Sequence, residues 1–339
     1  MNQKINTVEN VSSPNNILDV NDLTVEFRLE AGILRANNHV SLSVERGKTL
    51  GVVGESGSGK SVFCRTILQL LPVPPARISS GEIWFNGKNL LNYSESQMQQ
   101  VRGADISMIF QDPMSSLNPV FKIGEQISES LRLHNMMSAK EAREISLSLL
   151  RQVGIPSPER RIDDYPHQMS GGMRQRVMIA MAISSKPKLL LADEPTTALD
   201  VTIQDQILAL MLQLQEQVGM SIILVSHDLG IVAETSDQVA VMYAGQVMEF
   251  ASTETIFRHP MHPYTVGLLQ SIPHMDGGSK RLVPIKGQPP NLLQLPAGCP
   301  FVERCPVADV EYCSKTPVSL NTVEPDHFSA CLFPERVDV

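Results

Sequence analysis

The chain contains 339 residues, of which 42% are hydrophobic and 19% are charged, and its formal net charge is −8. This length accommodates one large domain or two smaller ones. The negative net charge argues against nucleic acid as the main partner, because phosphate contacts require clustered lysine and arginine. The sequence contains no run of 18 or more apolar residues, so it predicts no membrane-spanning helix.

The first 16 residues are polar and lack the apolar stretch of a secretory signal, so we expect a flexible tail and no signal peptide. A β-rich segment follows, in which apolar or alternating runs lie between turn residues. Short strands are predicted there at Leu18–Val20, Leu23–Phe27 and Val40–Val44.

A glycine-rich motif at residues 54–61 is the strongest functional signal in the chain. It follows a short apolar strand, Leu50–Val53, and precedes a helical segment that stops at Pro72. The motif has the G-x-x-x-x-G-K-S pattern of a phosphate-binding loop, whose backbone N–H groups and helix N-terminus face an anion. The alternative is a glycine-rich turn without a ligand, which the flanking strand and helix disfavour. The sequence therefore predicts a protein that binds a nucleoside triphosphate.

Two side chains of this loop have distinct expected roles. Lys60 is expected to reach the β- and γ-phosphates, and the Ser61 hydroxyl is expected to bind Mg²⁺. The full set of predicted nucleotide-binding residues in this segment is Gly54, Glu55, Ser56, Gly57, Ser58, Gly59, Lys60, Ser61 and Val62.

The segment from about 113 to 170 has helical patterning and contains a plausible capping box formed by Ser138 and Glu141. Nearly continuous apolar runs return at Leu189–Ala192 and Ile222–Val225, as expected for strands of a parallel sheet that is covered on both faces. We interpret the helical segment as a subdomain inserted between two strand-rich parts.

Polar residues follow the apolar strands at the positions expected for a nucleotide site. These residues are Gln111, Asp193, Glu194 and His227. Because ligands bind at the carboxyl ends of parallel strands, we expect these side chains to lie with the phosphate loop around one Mg·ATP.

Each of these residues has a predicted task and a less specific alternative. Asp193 and Gln111 are expected to bind Mg²⁺ together with Ser61, and Glu194 is the predicted general base that orients the attacking water. His227 is the predicted contact to the γ-phosphate. Taken singly, a strand followed by Asp-Glu is most often a solvated turn, and a lone histidine or glutamine is most often structural.

A further motif, Ser170-Gly171-Gly172 before an apolar helix, completes a set that resembles the ATP-binding subunits of ABC transporters. The resemblance spans residues 17–258 and includes the segment Ala198-Leu199-Asp200, which corresponds to the family's D-loop. The family signature usually reads LSGGQ, whereas this chain has methionine at the first and last of these five positions, 169 and 173.

This resemblance implies the α/β fold of a P-loop NTPase, with a β-rich N-terminal subdomain and an inserted α-helical subdomain. It also implies that Ser170, Gly171, Gly172 and Asp200 act on the ATP held by a second ATPase subunit, so that a dimer is required. An aromatic residue before the loop stacks on adenine in this family. Phe27 is the candidate, with a core phenylalanine as the alternative.

Residues 111–119 and the tail from His262 resemble the oligopeptide, dipeptide and nickel permease ATPases. The resemblance implies a heterodimer of two related ATPase subunits bound to two membrane permease subunits, supplied by an extracytoplasmic solute-binding protein. It places the chain peripherally at the cytoplasmic face of the bacterial inner membrane. The expected coupling surface lies in the helical segment just after Gln111.

Residues 259–339 are expected to form a small, irregular, cysteine-rich C-terminal domain. Four of the five cysteines lie there, spaced C-x5-C-x7-C-x17-C at Cys299, Cys305, Cys313 and Cys331. Four thiolates suit either zinc or an iron–sulfur cluster, and this spacing does not choose between them. The resemblance implies a [4Fe–4S] cluster, with zinc and unligated thiols as the alternatives.

The resulting prediction is an ATPase subunit that energises the import of oligopeptides or dipeptides, or of nickel or another small solute. Two other functions are compatible with ATP binding: a soluble ABC ATPase that acts on ribosomes or DNA, and a regulator that binds ATP without hydrolysing it. The first normally carries two ATPase halves or long coiled-coil insertions and needs basic patches, and the sequence shows neither feature. The presence of both Glu194 and His227 disfavours the second.

Overall fold

The structure is a computed structural model that describes residues 14–112, 116–196, 200–271 and 284–337. Several predictions concern residues outside these ranges. They are most of the N-terminal tail, residues 113–115 of the segment after Gln111, and Ala198 and Leu199 of the D-loop motif.

The strands and helices are numbered here in chain order. The strands are β1 Asn16–Leu29, β2 Gly32–Glu45, β3 Thr49–Val53, β4 Ala76–Phe85, β5 Lys88–Asn89, β6 Ile106–Ile109, β7 Leu189–Asp193, β8 Ser221–Ser226, β9 Gln238–Tyr243, β10 Gln246–Ser252, β11 Asn321–Glu324 and β12 His327–Ser329. The α-helices are α1 Lys60–Ile67, α2 Glu95–Val101, α3 Ile123–Asn135, α4 Ala139–Gln152, α5 Pro158–Arg161, α6 Gly171–Ile183, α7 Val201–Val218, α8 Leu229–Thr235, α9 Thr253–Arg258, α10 Pro263–Gln270 and α11 Val310–Lys315. In the described parts of the chain, no helix has the length and apolar character needed to cross a bilayer.

The described residues form two compact units. The first unit contains the described parts of Met1–Val44, Thr49–Leu91 and Ser226–Val339, and the second contains those of Glu45–Lys48 and Asn92–Val225. The boundaries predicted from the sequence, at 17–258 and 259–339, remain predictions.

The first unit contains an antiparallel sheet in the order β2-β1-β4-β5. The sequence predicted two short strands at Leu18–Val20 and Leu23–Phe27, whereas the structure has a single 14-residue strand, β1. The register shifts between Asn21 and Thr24, and Asp22 between them has a left-handed backbone with φ 50°. This bulge lets the strand continue through the polar residues that appeared to end it.

A second group of strands in the first unit runs in the order β11-β12-β10-β9-β3, with β3 parallel to β9 and the other pairs antiparallel. The C-terminal strand β12 thus pairs directly with β10. The side chains behind these strands form one hydrophobic core that includes Val241, Tyr243, Tyr264 and Phe301. The region after residue 259 therefore shares its core with the strand that precedes the phosphate loop.

In the second unit, β8, β7 and β6 form a parallel arrangement in that order. Every residue of β7 and β8 is buried, as their continuous apolar sequences predicted. The predicted capping box is confirmed at the start of α4, where Ser138 and Glu141 exchange hydrogen bonds. Helices α3 and α4 are amphipathic and pack on each other.

Candidate functional site

The predicted phosphate loop connects β3 to α1 in the first unit, and its backbone requires glycine at two positions. Gly54 has φ 150°, and a Cβ atom there would lie 2.1 Å from the Met242 carbonyl oxygen. Gly59 has φ 99°, and its Cβ would lie 2.3 Å from the Ala36 carbonyl oxygen. Real side chains do not tolerate such close contacts. The loop can therefore curve this tightly only because both residues lack a Cβ.

Lys60 lies within this loop and is only 5% exposed. Its Nζ donates to the carbonyl oxygens of Gly54 and Glu55 at 2.7 and 3.0 Å, and to Ser58 Oγ at 3.2 Å. These three oxygens accept from the three donor positions of Nζ, so the side chain is held at the centre of the loop. The Asn37 side chain fixes the loop from β2 by donating to the Gly59 carbonyl at 3.1 Å.

The other predicted residues of this segment differ in exposure. Ser61 and Val62 lie half-buried in the first turn of α1, and Ser56 and Gly57 are exposed. The half-buried Phe27, the candidate for adenine stacking, pairs with Ala76 across β1 and β4. Its role remains a prediction.

Two residues of the C-terminal region, neither of them predicted from the sequence, hold the loop. The Glu55 N–H donates to the Tyr264 hydroxyl at 2.9 Å, and Arg304 donates to both Glu55 carboxylate oxygens, at 2.6 and 2.9 Å. Arg304 and Glu55 are 249 positions apart. No motif or local periodicity could have paired them.

The second unit brings two of the predicted catalytic residues together. The Gln111 Nε2 donates to the Glu194 carboxylate at 2.8 Å. Asp193 ends β7 and is fully buried, and Glu194 adopts a left-handed backbone with φ 49° directly after the strand. The Glu194 N–H donates to the Val225 carbonyl, which holds the turn against the end of β8. A carboxylate on a sharply turned strand end is well placed to orient a water molecule.

His227 follows β8 immediately and is exposed, and the next residue, Asp228, caps helix α8 with its side chain. The strands before Gly54, Gln111, Asp193 and His227 are confirmed as β3, β6, β7 and β8. The convergence of these residues on one Mg·ATP remains a prediction.

The predicted signature residues lie on the second unit, where Gly172 is half-buried and the others are exposed. Ser170 caps α6, its Oγ accepting the Met173 N–H at 3.3 Å, and Gly171 in the first turn is also exposed. Asp200 is exposed and caps α7 by accepting the Ile203 N–H at 3.0 Å. The structure thus shows a helix-capping function for both side chains.

Comparison with known proteins agrees with this arrangement. Residues 37–197 match the family described as ABC transporter, and residues 248–313 match the oligopeptide/dipeptide transporter C-terminal region. A probable peptide ABC transporter ATP-binding protein, y4tR of Sinorhizobium fredii, is 51% identical over 316 residues, covering 93% of this chain and 94% of that protein. The oligopeptide transport ATP-binding protein OppD of Bacillus subtilis is 52% identical over 289 residues, covering 85% of this chain and 81% of that protein.

This chain is an ABC transporter ATPase of the oligopeptide/dipeptide family. Solved structures agree on the fold. A dimeric ATP-binding cassette in a post-hydrolysis state with ADP and Pi superimposes with a TM-score of 0.63 at 26% identity, covering 70% of this chain and 98% of that chain. CbiO1 of Clostridium perfringens, part of an ABC transporter complex, superimposes with a TM-score of 0.62 at 28% identity, covering 72% of this chain and 92% of that chain. The ATPase therefore has the P-loop fold of the family, with mixed α/β sheets.

In this ATPase the four C-terminal cysteines are free thiols that line one small cavity together with His262 and Phe301. Burial, reinforced by the three neighbouring thiols, raises the pKa of Cys299 to about 12. Burial likewise raises the pKa of Cys331 to about 11, with contributions from nearby thiols. Bound metal would reverse this effect, because a cation stabilises thiolates.

The donor set suits a metal in residue type, since all four cysteines are among the residues that line one cavity. Among the described residues, however, no group of three or more His, Cys, Asp and Glu side chains has the arrangement of a metal site. The predicted [4Fe–4S] cluster therefore has support from residue type and proximity only.

Proposed function

We propose that this ABC ATPase binds and hydrolyses ATP to energise the import of oligopeptides or dipeptides through a membrane transporter. The observation that carries the proposal is the combination of a phosphate loop around a buried Lys60 with a C-terminal region that matches oligopeptide/dipeptide transporters. Relatives that are 48–52% identical carry peptide transport names. Nickel or another small solute is the alternative cargo.

The residues of the loop and of the strand ends have the following proposed roles. Lys60 and the loop N–H groups bind the phosphates, and His227 contacts the γ-phosphate. Ser61, Gln111 and Asp193 hold Mg²⁺, since hydroxyl, amide and carboxylate oxygens are the ligands this hard cation prefers. Glu194 is the general base, and its hydrogen bond from Gln111 supports a defined orientation of the carboxylate.

The exposed signature supports a proposal about quaternary structure. Ser170, Gly171, Gly172 and Asp200 act on ATP that is held by a second ATPase subunit, because a helix N-terminus binds anions and this one lies at the surface. The second subunit is a related chain, giving a heterodimer. Phe27 stacks on adenine.

The remaining partners follow from membership in the family. The ATPase pair binds two membrane permease subunits at the cytoplasmic face of the inner membrane, and a solute-binding protein outside the membrane delivers the cargo. The surface that contacts the permeases lies around α3, where Val120 and Phe121 before the helix and Leu133 in it are exposed.

On the strength of the family resemblance we propose a structural [4Fe–4S] cluster at the four thiols, with zinc or unligated thiols as the alternatives. Cys299, Cys305, Cys313 and Cys331 would hold the cluster. Bound through the four thiolates, the cluster would cross-link the segments of the C-terminal region. These segments are otherwise held together by the short β11–β12 pairing and by a shared hydrophobic core.

Reconstitution tests the proposed function. The chain would be co-expressed with the permeases and sister ATPase of its operon, and purified transporter in vesicles would be assayed for ATP hydrolysis and for uptake of dipeptides, longer peptides and Ni²⁺. We expect ATP-dependent peptide uptake that a Lys60→Ala variant abolishes. Association with ribosomes or DNA instead of permeases, or ATP binding without hydrolysis in the complete transporter, would contradict the proposal.

A further inference from the structure

Arg304, in the C-terminal region, is an arginine whose donors are directed at the phosphate loop. Its side chain is only 5% exposed, and it contacts the rings of both Tyr243 and Phe301, whose centroids are 5.7 and 5.8 Å from the guanidinium carbon. A buried guanidinium is costly unless its donors are satisfied.

All three nitrogens of this guanidinium have acceptors. Nη1 and Nη2 donate to the two Glu55 carboxylate oxygens at 2.6 and 2.9 Å, in a bidentate pair. Nη1 also donates to the Tyr243 hydroxyl at 3.1 Å, and Nε donates to the Lys286 carbonyl at 3.0 Å. Hydrogen bonding to Glu55 is the main cause that raises the pKa of Arg304. The side chain is therefore held in one orientation, and Glu55 is its only anionic partner among the described residues.

Glu55 is the second residue of the phosphate loop and is restrained at three points. Its carboxylate binds Arg304, its N–H binds the Tyr264 hydroxyl, and its carbonyl oxygen accepts from Lys60 at 3.0 Å. Arg304 is thus linked to the central lysine of the loop through one residue. A displacement of Glu55 would move one of the carbonyl oxygens that orient Lys60.

The carboxylate also matters electrostatically. A loop that binds a triphosphate gains affinity from positive charge, and an unpaired carboxylate on the loop would oppose this. Pairing with Arg304 offsets the repulsion between the Glu55 carboxylate and the triphosphate. The pair is bidentate and largely buried, so the attraction between its two charges is screened less than in a solvated pair.

We propose that Arg304 is a positioning residue for the phosphate loop, fixing Glu55 and neutralising its carboxylate so that the loop accepts the triphosphate of ATP. The inference rests on the proposed role of this loop in ATP binding. Arg304 acts through Glu55 and belongs to a different region of the chain from every motif of the family signature.

The test compares Arg304→Met, Arg304→Lys and the double variant Glu55→Gln/Arg304→Met in the full chain. ATP affinity would be measured by titration calorimetry with Mg·ATP, and KM and kcat in the assembled transporter. We expect Arg304→Met to raise the Kd and KM for ATP about tenfold with kcat changed less than about threefold, because no group proposed for the hydrolytic step is altered.

The conservative and double variants separate positioning from folding. Arg304→Lys keeps the charge but loses the bidentate geometry, so its KM should rise only about two- to threefold. The double variant lacks the opposing carboxylate and should recover most of the lost affinity. Arg336→Met is the matched control, since Arg336 also stacks on a phenylalanine in this region, Phe333, but is half exposed. It should leave KM and kcat unchanged.

A purely structural role predicts a different result. Partial unfolding of Arg304→Met would lower kcat and the melting temperature while KM stayed at the wild-type value, and the double variant would show no recovery. Either result would overturn the inference. If Arg304→Met is insoluble, Arg304→Lys decides the question: a KM for ATP equal to that of the wild type would also overturn the inference.

Lys60→Ala separates this inference from the proposed function. If wild type and Lys60→Ala bound ATP equally well, the loop would not be the ATP site. If Lys60→Ala lost binding while Arg304→Met retained wild-type affinity, only the role of Arg304 would be rejected.

Discussion

Glu194 combines three features expected of a group that orients water: it is half-buried, it lies directly after a buried strand, and it accepts a hydrogen bond from Gln111 at 2.8 Å. Asp193, beside it, is the last residue of β7 and is fully buried. Two adjacent carboxylates thus have different environments, which supports different tasks for them.

Replacing Glu194 with glutamine should leave ATP binding intact and lower turnover by about 10²-fold or more, because the amide cannot accept the proton of the attacking water. The measurement is ATP hydrolysis in the assembled transporter alongside ATP affinity of the chain. Glu216→Gln, on the distant C-terminal half of α7, is the control and should hydrolyse ATP normally. Turnover of Glu194→Gln equal to wild type would reject Glu194 as the general base.

At the scale of elements, the phosphate loop depends on close packing between its backbone and the neighbouring strands. Gly54 meets the end of β9 and Gly59 meets β2, so two different strands constrain the loop. Together with Asn37, these contacts set its curvature before any ligand is considered.

Gly54→Ala should therefore raise the Kd for ATP at least tenfold, because a Cβ 2.1 Å from a carbonyl oxygen forces the backbone to shift. The Kd is measured by titration with Mg·ATP at a temperature below the melting temperature of the variant. Gly47→Ala is the matched control: it also has a left-handed backbone, but its Cβ would meet nothing within 4 Å. That variant should lose about 1–2 kcal/mol of stability and keep its ATP affinity. Unchanged affinity in Gly54→Ala would show that the loop tolerates rearrangement.

Elements with local signals were predictable from the sequence. The phosphate loop, the strands β6, β7 and β8, and the cap at Ser138 depend on residues within a few positions of one another. The sequence did not predict β1 as one continuous strand, because the polar residues Asn21 and Asp22 at its bulge are typical of a turn. The pairing of Arg304 with Glu55 was missed because it is formed only by the tertiary fold.

At the scale of the whole molecule, the C-terminal region is integrated with the ATPase core of the first unit. Tyr243 of β9, Tyr264 of α10 and Phe301 pack against one another with ring centroids 4.6–5.3 Å apart. Cys299 and Cys313 belong to the same hydrophobic cluster. Binding of a metal at the thiols is therefore expected to stabilise this unit as a whole.

Anaerobically purified protein should be brown and contain iron, and replacing Cys313 with serine should remove the colour and lower the melting temperature. Metal analysis, absorption spectra and thermal unfolding measure this. Cys64→Ser is the control, because Cys64 is buried in α1 as a small apolar residue and lies outside the four-thiol cavity, so it should retain full iron content. A colourless preparation with stoichiometric zinc would contradict the cluster assignment.

The shared core also determines where the chain can be cut. A fragment ending near residue 258 would retain every motif of the nucleotide-binding cassette, yet it would lack Tyr264 and Arg304 and leave Tyr243 uncovered. Truncation at the apparent end of the cassette would thus remove supports of the loop along with the tail. Studies of an isolated cassette would then describe a weakened protein.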